Sequence, residues 1–228
     1  MAWALHPEWG AALSEVTDEL RCIILAIAEF EPVRLLTPRS LLGQAKAQGF
    51  GRNVEIVEAP VDDIWMRDIA PIYIAGDFEV LPVDLNFNGW GAPRLRPPRP
   101  GDRLAGTARD LFGRNMISAG FVAEGGAFVV GRDGVVFTTR SCLLDRDRNP
   151  QLTKSDVERE LVRLGAGEAI WLNGDPTEPI TSGHVDGYLL PTESGDLLVQ
   201  RCEAADDPCA EARDADIARL RAHANLVT

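Results

Sequence analysis

The sequence predicts an α/β domain assembled from a recurring strand–turn–strand unit, with helices between the copies and the copies arranged around an axis. Three observations carry that expectation. A polar cluster followed by two short apolar runs recurs three times, which marks repeats rather than one irregular domain. The segments between copies have helical length and helix-starting residues. A hydrophobic content of 45% over 228 residues allows a sizeable core and argues against disorder.

In chain order, Ser14 to Phe30 has the apolar density of a buried helix, with Ser, Thr, Asp and Glu in its first half. Val33–Thr37 is expected as a strand stopped by Pro38, Ser40 to Gln48 as a short helix capped by Gly49, and Asn53–Glu58 as an alternating strand. The first repeat copy runs from the cluster Asp62–Asp68 through a strand Ala70–Ile74, a Gly76-Asp77 turn and a strand Phe78–Asp84. The second is Glu124-Gly-Gly, Ala127–Val130, a turn over Gly131–Gly134, then Val135–Thr139. The third is His184-Val-Asp186, Gly187–Leu190, a Ser194-Gly-Asp196 turn, then Leu197–Gln200. Helices are expected over Asp102–Phe112 and Ser155–Leu164, the latter opened by a Ser155-x-x-Glu158 capping box. The Pro- and Arg-rich stretch Ala92–Pro100 is expected as an exposed excursion. Units of this kind around an axis bring the three polar clusters together at the centre.

Charge and composition exclude several classes. A net charge of −12 argues against nucleic acid, whose backbone is bound through clustered Lys and Arg. The longest apolar stretch, Cys22–Ala28, is far shorter than the roughly 20 residues of a membrane helix. The first residues carry no basic segment followed by a long apolar one, so a cytoplasmic location is expected. Four cysteines (Cys22, Cys142, Cys202, Cys209) form no C-x-x-C pair, and three dispersed histidines make no zinc array, so reduced thiols and no metal are expected. No Gly-rich phosphate loop is present, and no nucleotide cofactor is indicated.

The polar clusters carry the candidate chemistry. A carboxylate binds a guanidinium through two parallel charge-assisted hydrogen bonds, and two carboxylates grip both edges. Asp68 and Asp186 come from different copies yet hold matching places, so they are candidates to converge on one planar cation, with Glu124 of the middle copy helping. Trp65, three residues before Asp68, offers a ring face to the same cation. Asp68 is equally readable as a loop tie to Arg67 or another arginine. His184 and Asp186, two apart in an expected strand, share a face, which suits a proton shuttle whose pKa the carboxylate raises. A core histidine bonded to backbone remains an alternative.

These residues form an ordered series: Glu58-Ala-Pro-x-Asp-Asp-x-Trp-Met-Arg-Asp68, Asn86-Phe-Asn-x-Trp-Gly91, Glu124-Gly-Gly126, Thr138-Thr-x-x-Cys-Leu-Leu144 with Arg148-Asn-Pro150, and Gly183-His-Val-Asp186. The series resembles the agmatine deiminase family, also described as bacterial-type peptidylarginine deiminases, over the chain up to about Pro208. The resemblance implies a pentein fold, an α/β propeller of repeated ββαβ units. Residues 1–228 would then form a single deiminase-like pentein domain, truncated at its C-terminus with the final unit missing. It implies that Asp68 and Asp186 hold a substrate guanidinium, that His184 is the general acid/base and that Glu124 lines the pocket. It further implies a small cationic guanidine such as agmatine, or peptidyl arginine, converted to an ureido product and ammonia without metal or organic cofactor, a step linked to putrescine biosynthesis. The family's nucleophile is a cysteine in a glycine-rich context near the carboxyl end, and none of the four cysteines here lies in such a context. A guanidinium-binding protein without turnover, and a partial propeller completed by a partner chain or by self-association, are therefore alternatives.

Overall fold

The computed structural model describes residues 1–76, 78–91, 97–202, 204 and 207–227. The chain opens with a 3-10 segment, Pro7–Ala12, that leads into helix α1 (Leu13–Ala28), whose buried residues are Ile24 and Ala28. Strand β1 (Val33–Thr37), helix α2 (Leu42–Ala47) and strand β2 (Val54–Glu58) follow, and the two strands pair in parallel. Gly49 takes φ +65° just after α2, the left-handed conformation a glycine C-cap supplies.

Three units of one topology succeed this pair. In the first, helix α3 (Met66–Ile69) precedes the hairpin β3 (Ile72–Ala75) and β4 (Val80–Asp84), then α4 (Leu104–Thr107), α5 (Arg109–Phe112) and β5 (Ile117–Ser118). The second comprises β6 (Val129–Val130), β7 (Val135–Thr139), α6 (Arg140–Leu143), α7 (Lys154–Arg163) and β8 (Glu168–Leu172). The third comprises β9 (Leu189–Pro191), β10 (Leu197–Val199), α8 (Ala210–Leu220) and β11 (Leu226–Val227). In each, the first two strands are antiparallel and the last returns parallel to the middle one. That is the ββαβ unit in three copies among the described residues, as the repeat pattern predicts.

Apolar alternation on the strands and the inner faces of the helices build the core. Phe121, Phe128, Leu143, Leu161 and Trp171 are buried together between the first and second units, and Leu172, Leu189, Leu197 and Leu220 between the second and third. Helix α8 is further pinned by its buried Asp216, which accepts the backbone N–H groups of Asn173 (2.6 Å) and Gly174 (3.1 Å) and the Tyr188 hydroxyl (3.1 Å). Among the described residues, no helix is long and apolar enough to cross a membrane.

Several local expectations are corrected. Asp102–Phe112 is not one helix: a 3-10 turn (Pro100–Arg103), α4 and α5 are separated at Ala108, where the Thr107 hydroxyl takes the Arg103 carbonyl at 2.7 Å in competition with the helix ladder. The strand Ala127–Val130 shrinks to Val129–Val130, and Gly187–Leu190 is replaced by Leu189–Pro191, because the residues ahead of each coil into 3-10 turns. Helix α7 begins one residue before Ser155. Its capping box is Thr153 with Asp156: the Thr153 hydroxyl accepts the Asp156 N–H at 3.3 Å and Asp156 Oδ2 accepts the Thr153 N–H at 2.8 Å. Asp77 of the expected first turn and residues 92–96 of the expected excursion lie outside the described residues.

The two caps are separable by mutation. Thr153→Ala is expected to lower the unfolding free energy by about 1 kcal/mol in urea titrations, the worth of an N-cap. Ser155→Ala, at an exposed position inside the helix, should change it by less than about 0.5 kcal/mol.

Candidate active site

Three single turns of helix meet where the units converge: α3, the 3-10 turn Gly125–Ala127 ahead of β6, and the 3-10 turn Val185–Gly187 ahead of β9. Each is the start of a unit, so the polar clusters of the three copies do come together. The first and third border a cleft of about 490 Å³ lined by Trp65, Arg67, Asp68, His184, Asp186 and Arg213, among others.

His184 and Asp186 do not sit on a strand. His184 is the residue leading into the 3-10 turn and Asp186 lies within it. Their shared direction arises from the turn and from Gly183, whose φ of +86° brings its Cα so close to Asp175 that a Cβ there would lie 2.3 Å from the Asp175 nitrogen. His184 is buried, and its Nδ1 lies 3.9 Å from Asp68 Oδ1 and 4.0 Å from Asp186 Oδ1. Both aspartates therefore face one imidazole edge.

Asp68 is buried and held at both oxygens: Oδ1 accepts the Gly126 N–H at 2.9 Å and Oδ2 accepts the Trp90 indole N–H at 3.0 Å. Gly126 stands at the place in its turn that Asp186 takes in the next one. A Cβ on it would lie 2.4 Å from His184 Nδ1, so only glycine lets the backbone donate to Asp68 beside the imidazole.

Glu124 does not line the cleft. It leads into its own turn as His184 leads into the following one, so its structural counterpart is His184 and not the aspartates. Its side chain has no exposure, accepts Arg148 Nε at 2.9 Å, and meets His184 Nε2 at 3.2 Å. The Arg148 side chain has no exposure either, and it also donates to the Thr181 carbonyl at 2.9 Å. Glu124 thus fixes the imidazole from behind. The role of Arg148 was not legible in the sequence, although the Arg-Asn-Pro triplet flagged the position.

The loop-tie alternative holds for the other aspartate. Arg67 Nε stands 3.7 Å from Asp186 Oδ2, the arginine more than half exposed and the aspartate a third, and Arg67 Nη2 donates to the Phe128 carbonyl at 3.0 Å. A guanidinium of the protein itself thus already approaches Asp186, in a solvent-screened pair of small worth. Trp65 is 59% exposed and borders the cleft.

Electrostatics follow from this packing. Burial by itself lowers the His184 pKa, but the hydrogen bond and charge of Glu124, with Asp68 and Asp186, outweigh it and hold the imidazole above its ordinary value. Burial raises Asp68 and Asp186 above the usual carboxylate range, against the opposing pull of His184. Burial also opposes ionisation of Glu124, yet His184 and Arg148 keep it below its ordinary value. Cys142 Sγ lies 3.6 Å from Glu124 Oε2. Burial first, then the Glu124 charge, push this thiol well above its ordinary range, so it is an inert buried thiol. Glu124, Cys142 and His184 could bring ligand atoms to one metal, since these atoms lie within 4.8 Å of one another. Arg148 already fills the cationic place beside Glu124, which opposes a dication there. Among the described residues no cysteine borders the cleft.

A family profile described as Porphyromonas-type peptidyl-arginine deiminase matches residues 1–226. The chain belongs to this family. Among relatives, an agmatine deiminase of Ectopseudomonas mendocina is 32% identical over 215 residues, covering 91% of this chain and 58% of the relative. One of Pseudomonas putida is 33% identical, covering 94% and 63%. The solved agmatine deiminase of Enterococcus faecalis superposes with a TM-score of 0.87 at 27% identity, covering 99% of this chain and 66% of that one. The chain therefore has the pentein fold of the family, and spans about three-fifths of the length of the curated relatives it matches.

Two outcomes test the buried network. In Glu124→Gln, which keeps the shape and removes the charge, the His184 imidazole should titrate at lower pH than in the parent, followed by NMR and assigned with a His184 variant. Glu124→Ala leaves Arg148 buried without its partner and should cost about 3–5 kcal/mol of stability in urea unfolding.

Proposed function

We propose that the cleft binds a guanidinium group and that the chain works as an agmatine deiminase-like hydrolase, converting a guanidine to an ureido product plus ammonia. The observation that carries this is Asp68 and Asp186 facing the same imidazole nitrogen of His184, at 3.9 and 4.0 Å, in an open cleft bordered by Trp65. Asp68 and Asp186 take the two edges of the guanidinium, with Asp186 exchanging Arg67 for the ligand. Trp65 covers its face, and His184 moves the protons. Glu124 is a positioning residue: it orients the imidazole and favours its protonated form, which supplies a proton to the departing amine. In deprotonated form His184 then accepts one from water. The carbon–nitrogen bond to ammonia breaks and a carbon–oxygen bond from water replaces it.

The names of the relatives support agmatine as the substrate, and a cytoplasmic setting and putrescine formation belong to the same proposal. The attacking thiol that the family resemblance implies is not among the residues bordering the cleft. That observation favours a second outcome, in which the described residues hold the guanidinium without turning it over unless a thiol from outside them is supplied.

Colorimetric assay of ureido product from agmatine, arginine and an arginyl peptide, run beside calorimetric binding, separates the outcomes. Turnover supports hydrolysis by this chain, binding without turnover supports the holding role, and absence of binding overturns both. Asp186→Asn is expected to weaken agmatine binding by about 2 kcal/mol, the low end for a broken charge pair because Asp186 is a third exposed. Affinity should also fall as pH drops through the raised His184 pKa, because the imidazolium repels the incoming cation. Calorimetry across pH measures this.

A further inference from the structure

One pair of thiols outside the cleft has no part in the proposed chemistry. Cys202 follows β10, and Cys209 is the residue leading into α8. Both are half-buried, and their sulfurs stand 3.0 Å apart, about 1 Å beyond the length of a disulfide bond. Asp207 brings a third possible ligand atom within 4.8 Å, but its Oδ1 already accepts the Cys209 N–H at 2.9 Å. Structural zinc takes four ligands, and no fourth is present among the described residues, so sulfur–sulfur chemistry is the better fit.

The pair sits at the hinge between a strand and the helix that walls the cleft. The Cys209 carbonyl accepts the Arg213 N–H at 2.9 Å, one turn into α8. The Arg213 guanidinium lies 3.5 Å from the Tyr188 ring centre and donates at 3.0 Å to the carbonyl of Gln200, two residues before Cys202. Arg213 and Tyr188 both border the cleft. A bond between the sulfurs would close this short circuit covalently.

We propose that Cys202 and Cys209 are a reversible dithiol–disulfide pair whose bond fastens the start of α8 to the end of β10. The oxidant is a low-molecular-weight disulfide. The Cys209 thiol is pushed up to about 12, first by its contact with Cys202 and then by Asp207, so the first attack falls to Cys202. Its thiolate attacks the small disulfide and releases one thiol. The Cys209 sulfur, giving up its proton, then attacks Cys202 in the mixed disulfide and releases the second. Two electrons pass to the oxidant and two protons leave with the released thiols. The bond does not depend on the guanidine chemistry, so its test stands apart from any activity.

The full chain is equilibrated over a series of oxidised to reduced glutathione ratios, alkylated and digested with trypsin. Both cysteines fall in one tryptic peptide, 202–213, between Arg201 and Arg213. This peptide should become lighter by two hydrogens and refuse the alkylating agent at ratios where the exposed Cys22 is still alkylated. Cys209→Ser should accumulate a glutathione adduct on Cys202 and, like Cys202→Ser, should form no internal bond within this peptide. Hydrogen exchange at the α8 amides should slow about fivefold or more on oxidation, as local opening becomes rarer, and stay unchanged in Cys209→Ser. Alkylation of all three thiols in parallel would overturn the pair, as would zinc retained by the reduced protein and lost in Cys202→Ser. An oxidised peptide with unchanged α8 exchange would overturn the fastening.

Discussion

Glu124, a carboxylate without solvent exposure, holds an arginine and a histidine at once, and the cleft takes its geometry from that contact. A charge in that position is tolerable because Arg148 compensates it, while the Thr181 carbonyl and the Ser182 hydroxyl accept from the rest of Arg148. The surplus negative field falls on His184. It fixes which nitrogen of the ring faces the interior and leaves Nδ1 turned toward the two aspartates. The cleft is thus built from behind, by a buried ion pair that does not border it.

The same contact sets the chemical character of the wall. His184 stands among three carboxylates, which hold its proton more tightly than water would, while burial raises the two cleft aspartates. Each group tempers its neighbours, and the proposed guanidinium recognition rests on the cluster as a whole. Arg67 beside Asp186 is the protein's own instance of that recognition. Cys142 approaches the same Glu124 oxygen that meets His184, and the charge that organises the histidine is part of what silences the thiol.

Much of the fold was legible because its signals are local. Alternation and turn residues marked the three hairpins, and the equal order of cluster, strand, turn and strand revealed the repeat. What misled was also local. Asp102–Phe112 has helical composition, yet a threonine hydroxyl competing for a carbonyl splits it. A strand register for His184 and Asp186 gave the right shared face for the wrong reason, since a 3-10 turn presents them. Glu124 was placed in the cleft because an acidic residue at a matching cluster resembles Asp68 and Asp186. Its true register partner is His184, two positions before Asp186, and a two-residue change of register separates the two places.

By itself the sequence determined the unit, its three copies, and the identity of the residues that crowd the axis, since periodicity and turn chemistry act within a few residues. Only the tertiary structure decided which of them share an edge. It gave Glu124 to Arg148 and His184, Arg67 to Asp186, and Gly126 to Asp68, across separations of 24 to 119 residues. Such pairings depend on how whole units pack against one another, where burial sets the value of every charge, and no short-range pattern encodes that distance.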